Sequence, residues 1–182
     1  MPPTPKLRPV LVVGFAVACV GLSAQVDAPV PGSDTPQSLQ TLAVAVIALL
    51  MSPGYAAATL LSYLAAGAVG FPVFADGASG YSHLIGPTAG YLFGFAVAAV
   101  VSSLWVRRFG KGALGFLGGA FGVHGVVLLL GWARLAWQLG AAPAFHAGVE
   151  PFLFGGVVKS LAAASLAYLV TRMLPARDPL RG

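Results

Sequence analysis

Charge is what this sequence is shortest of. Only 8% of its 182 residues are charged and 58% are hydrophobic, with a mean hydropathy of +0.87. A soluble domain carries roughly 25% charged residues, so no water-facing surface can be made from this inventory, and the chain reads as a multi-pass membrane protein. Acidic side chains are scarcest: Asp27, Asp34, Asp76, Glu150 and Asp178, none inside an apolar run. A proton- or sodium-coupled carrier would be expected to hold titratable groups in its spans or to show an inverted repeat, and neither is found. The single Cys19 excludes an internal disulfide or a cysteine metal cluster. His83, His124 and His146 have no ligand-like spacing, and His124, within a glycine-rich run, reads as hydrogen-bonded packing. There is no H-E-x-x-H, nucleophile elbow or carboxylate pair, and Gly110-Lys111-Gly112 lacks the earlier glycine and the hydroxyl residue of a P-loop. The expectation is a chain that is no enzyme, holds no metal or cofactor and binds no ATP. The net charge of +5 would suggest nucleic acid in a soluble protein, but here its distribution bears on orientation instead, and no nucleic acid is expected.

What is present is a series of six apolar runs, at 7–26, 36–52, 54–71, 86–106, 112–139 and 151–172, which predicts an all-α membrane protein built as a six-transmembrane-helix bundle. Asp34 or Thr35 can cap the second helix, with Pro36 in its first turn. Small residues recur every fourth position at Gly86, Gly90, Gly94, Ala98 and Ser102, and again at Ala58, Ser62, Ala66 and Gly70; both stripes suit close helix packing. The fifth run adds Gly115, Gly118, Gly119, Gly122 and Gly125. The basic start before the first apolar run, with Val26-Asp27-Ala28 after it, also suits a cleaved leader. Cleavage would leave five spans. With six, and with both termini cytoplasmic, Lys6, Arg8, Arg107, Arg108, Lys111, Arg172, Arg177 and Arg181 all fall inside, while Asp27, Asp34, Asp76 and Glu150 fall outside.

Two cations do not fit that partition. Arg134 lies between Trp132 and Trp137 toward the outer end of the fifth run, where it can snorkel to the interface. Lys159 lies nine residues after Glu150, roughly 13 Å deep at ~1.5 Å per residue. A cation at that depth costs ~2.5–3.5 kcal/mol on insertion scales. Either backbone carbonyls and water satisfy it, or it faces a cavity entered from outside and meets an anionic or strongly hydrogen-bonding ligand.

Three stretches carry a resemblance: Gly-Phe-Pro-Val-Phe-Ala at 70–75, Gly-Pro-Thr-Ala-Gly-Tyr-Leu-Phe-Gly-Phe at 86–95, and Pro-Phe-Leu-Phe-Gly-Gly-Val-Val-Lys at 151–159. Leu39-Gln40-Thr41-Leu42 adds a fourth. Together they resemble the BioY family, the biotin-binding S components of energy-coupling factor (ECF) transporters. The resemblance implies an S-component-like bundle in a prokaryotic cell membrane. Such a subunit captures biotin from outside, and a membrane-embedded coupling subunit with two ATPase subunits drives uptake. By position it implies that Lys159 helps hold the ligand, that Tyr91 and Phe74 wall the bicyclic ring, and that Gln40 matches a second-helix glutamine. Gly14 and Ala18 on the first helix form a small-xxx-small pair for the membrane partner or for packing inside the bundle. The family usually carries aspartate where this chain has Gly156, and glycine where it has Asp76. Asp76 could supply the missing carboxylate by reaching into the pocket. Alternatives are an S component for a different small vitamin, or a stand-alone membrane carrier.

Overall fold

The computed structural model describes residues 7–30 and 33–173. Lys6, Arg177 and Arg181 lie outside these residues. Among the described residues six helices form the bundle: α1 (Leu7–Ser23), α2 (Gln40–Leu50), α3 (Pro53–Ala68), α5 (Ala89–Phe109), α6 (Ala113–Leu139) and α8 (Leu153–Met173). Two short helices, α4 (Ser82–Ile85) and α7 (Ala141–Gly148), lie in the connections. Three segments are long and apolar enough to cross a membrane, Ala89–Phe109, Ala113–Leu139 and Ala141–Met173, while α1 and α2 are shorter apolar helices.

The bundle buries a few hydroxyls within a mostly apolar core of small and medium residues and turns many large apolar side chains outward. Thr59, Ser102, Ser103 and Ser160 are buried, whereas Phe93, Val97, Val101 and Leu104 on α5, and Val157, Val158, Leu161, Leu166 and Leu169 on α8, are exposed. In lipid, apolar burial gives little drive to helix association, so small residues that let backbones approach do the packing. The helix pair α5–α6 shows this best. An added Cβ at Gly90 would stand 3.0 Å from the Leu130 carbonyl carbon, one at Gly94 would stand 3.2 Å from Val127 Cα, and Gly118 lies under the Trp105 ring. Hydroxyls complete the contacts: Ser103 Oγ donates to the Met51 carbonyl at 2.6 Å and Ser160 Oγ to the Ala120 carbonyl at 3.3 Å.

Three expectations from the sequence are corrected. Residues 33–38 are not the start of a helix. Asp27–Val30 (β1) and Ser33–Ser38 (β2) pair as an antiparallel hairpin, with Asp27 opposite Ser38 and Ala28 opposite Gln37. Helix α2 starts only at Gln40, with Leu39 as its uncapped N-cap in place of Asp34 or Thr35. Pro36 would also suit a first helical turn, but it sits in β2, a strand with a single partner, where its missing N–H is tolerated. Of the stripe Ala58, Ser62, Ala66 and Gly70, Ala58 and Ser62 face outward, Ala66 is half-buried and Gly70 lies beyond the end of α3, which buries Ala56, Thr59, Leu60, Tyr63, Leu64 and Gly67 instead. Spacing alone could not separate two faces that are both rich in alanine. Gly86 precedes α5 and is extended, so that stripe begins at Gly90.

Gly90→Ala should destabilise the protein by ~1–3 kcal/mol through overpacking against α6. Gly125→Ala, where an added Cβ meets nothing within 4 Å, should be neutral or stabilising by up to about 1 kcal/mol through helix propensity. Thermal unfolding in detergent compares the two, and equal shifts would contradict the close approach of α5 and α6.

Candidate ligand-binding cavity

Helix α2 has 11 residues against 21 in α5, a difference of ~15 Å of helix length at ~1.5 Å per residue. The hairpin β1–β2 leads into the short end, and the space beside it is a cavity of about 710 Å³. Pockets for drug-sized molecules span ~300–1,000 Å³. Its walls are apolar, with Phe74, Leu92, Phe95, Val127, Leu128, Leu135 and Phe152. Polar groups enter from the hairpin and the start of α2 (Asp27, Gln37, Ser38, Gln40, Thr41), from α4 (His83), from α6 (His124) and from α8 (Lys159), while Asp76 lines it from the loop after α3.

All five residues singled out in the sequence for this role, Lys159, Tyr91, Phe74, Gln40 and Asp76, line this one cavity. Lys159 is half-buried and its Nζ donates to the Ser38 carbonyl at 3.1 Å. Among the described residues no carboxylate reaches it, the one ion pair being His146 with Glu150 in the exposed α7 region. Gln40 is buried and its amide donates to the Tyr63 hydroxyl, which donates in turn to the Val73 carbonyl at 3.0 Å. The glutamine therefore braces the loop as well as lining the cavity. Phe74 sits edge-on to Tyr63 at 5.6 Å between ring centres and occupies a notch in α3 that exists because residue 67 is glycine. Gln25 Nε2 holds the Phe74 carbonyl at 2.8 Å. Tyr91 donates to the Gly148 carbonyl at 2.7 Å, so its ring is a wall and its hydroxyl a tie to α7.

Asp76 is exposed, in the left-handed conformation at φ 58° and followed by Gly77 at φ 68°. Aspartate tolerates that region better than most residues. The double turn aims the loop across the cavity. Arg134, expected to snorkel, is spent on the same end of the molecule: its guanidinium donates to the Ile85 carbonyl at 2.5 Å, the last carbonyl of α4.

Sequence reasoning passed over Gln37 and Thr41, and read His124 only as packing. His124 Nδ1 does pack, 3.1 Å from the Ala120 carbonyl and 2.9 Å from Ser160 Oγ. Its Nε2, however, has no partner, and neither has Gln37 Oε1 or Thr41 Oγ1. Of the four buried side-chain atoms left unpaired among the described residues, these three line the cavity; the fourth is Ser102 Oγ. Buried polar atoms are normally paired, so three exceptions on cavity-lining residues set this polar end of the cavity apart from its apolar walls. The available signal was a polar residue inside an apolar run. Gly14 and Ala18 lie apart from all this, exposed on α1, and nothing stands within 4 Å of an added Cβ at Gly14.

Known proteins resemble this chain in sequence and in fold. The family model described as "BioY family" matches residues 1–176. A probable biotin transporter BioY of Pyrococcus horikoshii is 33% identical over 162 residues, covering 89% of this chain and 95% of its own. The biotin transporter BioY of Thermotoga maritima is 29% identical, with 92% and 98% covered. Among solved structures, the S-component for biotin from an ECF-type ABC transporter superimposes with a TM-score of 0.78 over 94% of this chain and 95% of that one, at 18% identity. That likeness is one of fold. With the family model spanning nearly its whole length and 33% identity to the Pyrococcus horikoshii relative over 89% of it, the chain belongs to the BioY family.

Proposed function

We propose that this protein is the substrate-binding S component that captures biotin from outside the cell for uptake by an ECF-type transporter. The observation that carries the reading is the lone cation Lys159 set into a largely apolar cavity of about 710 Å³. Biotin presents an apolar bicycle and chain to such walls, and its ureido and carboxylate oxygens can each answer an ammonium group. Phe74 and Tyr91 wall the ring, Gln40 lines the cavity and holds the loop, and Asp76 closes the mouth.

The bundle alternates in direction, so the cavity, the hairpin with Asp27 and the loops carrying Asp76 and Glu150 share one end, while Arg107, Arg108 and Lys111 lie at the other. The excess of basic residues on cytoplasmic loops supports a multi-pass protein of the prokaryotic cell membrane with both termini inside and the cavity open outward. The chain has no P-loop, and energy is supplied by a membrane-embedded coupling subunit with two ATPase subunits. Gly14 and Ala18, exposed on α1, are the surface that docks the coupling subunit.

Isothermal titration of the purified protein with biotin tests the reading directly. Saturable binding is expected; a folded protein that ignores biotin and binds another small vitamin would overturn the ligand while keeping the subunit class. Lys159→Ala should weaken biotin binding by about 10- to 150-fold, the ~1.5–3 kcal/mol of a hydrogen bond to a charged group. Asp76→Asn keeps the left-handed turn, because asparagine accepts that conformation as readily, and so isolates the charge. The carboxylate is exposed, so the change in affinity should stay within about fivefold, ~1 kcal/mol. Gly14→Leu should leave biotin affinity unchanged and reduce co-purification of the coupling subunit; undiminished co-purification would remove α1 from the interface.

A further inference from the structure

We propose that His124 Nε2 and Gln37 Oε1 form a two-acceptor subsite that takes the N–H groups of a cyclic urea, which on the biotin reading above is the ureido ring. His124 is 7% exposed and Gln37 2% exposed, and both line the cavity. The ring's hydrogen-bonding sense follows from its neighbours. The Ala120 carbonyl, 3.1 Å from Nδ1, can only accept, and with the Ser160 hydroxyl, 2.9 Å from Nδ1, donating to that same carbonyl, Nδ1 is assigned the proton of the neutral imidazole. Nε2 is left with its lone pair, buried and unpaired. The same reasoning orients Gln37. Its Nε2 donates to the Pro151 carbonyl at 2.6 Å, which leaves Oε1 against Gly155 of α8, also buried and unpaired.

Both acceptors stand against successive glycines of α8. An added Cβ at Gly155 would press on the Gln37 amide, 2.9 Å from its Cδ, and one at Gly156 would lie 3.6 Å from His124 Cδ2, the ring carbon next to Nε2. A longer side chain at either position would displace or cover an acceptor. Lys159, one turn further along α8, adds a donor. Two acceptors and one donor complement a cyclic urea, which has two N–H groups and one carbonyl oxygen. A carboxylate offers no N–H and would face two lone pairs, so the deep polar end selects the ureido end of the ligand.

The test uses the full-length protein in detergent, labelled with nitrogen-15 in its histidine rings, with His83→Gln and His146→Gln to assign the signals. On saturation with biotin the His124 Nε2 resonance should move from a free to a hydrogen-bonded acceptor position. Affinity should fall about 5- to 150-fold in His124→Phe, the ~1–3 kcal/mol of an unmet donor. His124→Gln, which keeps an acceptor at similar reach, should recover most of that loss, whereas a packing role would favour the aromatic replacement. If biotin saturates the protein and the Nε2 resonance stays in place, or if His124→Phe binds as the parent does, the subsite is refuted and the biotin reading survives. A parent that binds no biotin overturns both. Should His124→Phe fail to fold, the parent's resonance decides alone.

Discussion

A bundle held together by close-packed glycine, alanine and serine has no room to spare, so any cavity in it must be made by an element that stops short. Helix α2 is that element. Its 11 residues leave a space beside α5, α6 and α8, and the hairpin of Asp27–Val30 with Ser33–Ser38 occupies part of it without filling it. Irregular backbone at such a depth is tolerated only where it is buried in protein or borders a cavity. The hairpin borders the cavity through Asp27, Gln37 and Ser38. Its strands satisfy each other, Leu39 N donates to the Val26 carbonyl at 2.9 Å, and the Ser38 carbonyl accepts from Lys159.

The same bond explains how a lysine can be kept inside the bundle. Its ammonium is half-buried and takes one carbonyl from the hairpin, which leaves two donors for whatever fills the cavity. A carboxylate partner would have neutralised it and removed the reason for an anionic or oxygen-rich ligand to bind. The loop from Phe71 to Gly80 is fixed just as specifically. Gly80 N donates to the Gly67 carbonyl at 2.7 Å, Gln25 holds Phe74, and Gln40 reaches it through Tyr63. Cavity wall and loop thus share one network, so occupation of the cavity and position of the loop are mechanically linked.

Much of this was legible in the residues because it depends on local facts. The glycine stripe from Gly90 to Ser102 predicts a close helix contact wherever its partner lies, and Lys159 stands out because a cation in an apolar run is costly. The hairpin was hidden: it is short, carries Pro29 and Pro36, and lies next to a genuine helix, so its pattern merges with the apolar run that follows. The outward turn of Ala58 and Ser62 was hidden for a different reason. Which face of α3 is buried is decided by α1 and α5, not by α3's own spacing. His124 and Gln37 depend on neighbours up to 114 residues away, the Pro151 carbonyl among them, and no local pattern reports that.

The unpaired atoms around the cavity bear on selectivity more than on affinity. Each buried donor or acceptor left unmade costs ~1–3 kcal/mol, and water can repay it as well as a ligand can. Exchange of water for a ligand that restores every bond is therefore nearly neutral in polar terms, and the apolar walls then supply the net gain. A ligand of the same shape lacking one of those groups strands a buried acceptor and forfeits that gain. Discrimination by stranded polar atoms reaches far beyond what a missing methylene achieves. An apolar pocket with a few convergent, otherwise unsatisfied groups is thus the economical way for a small membrane subunit to pick one polar-headed molecule from a dilute mixture.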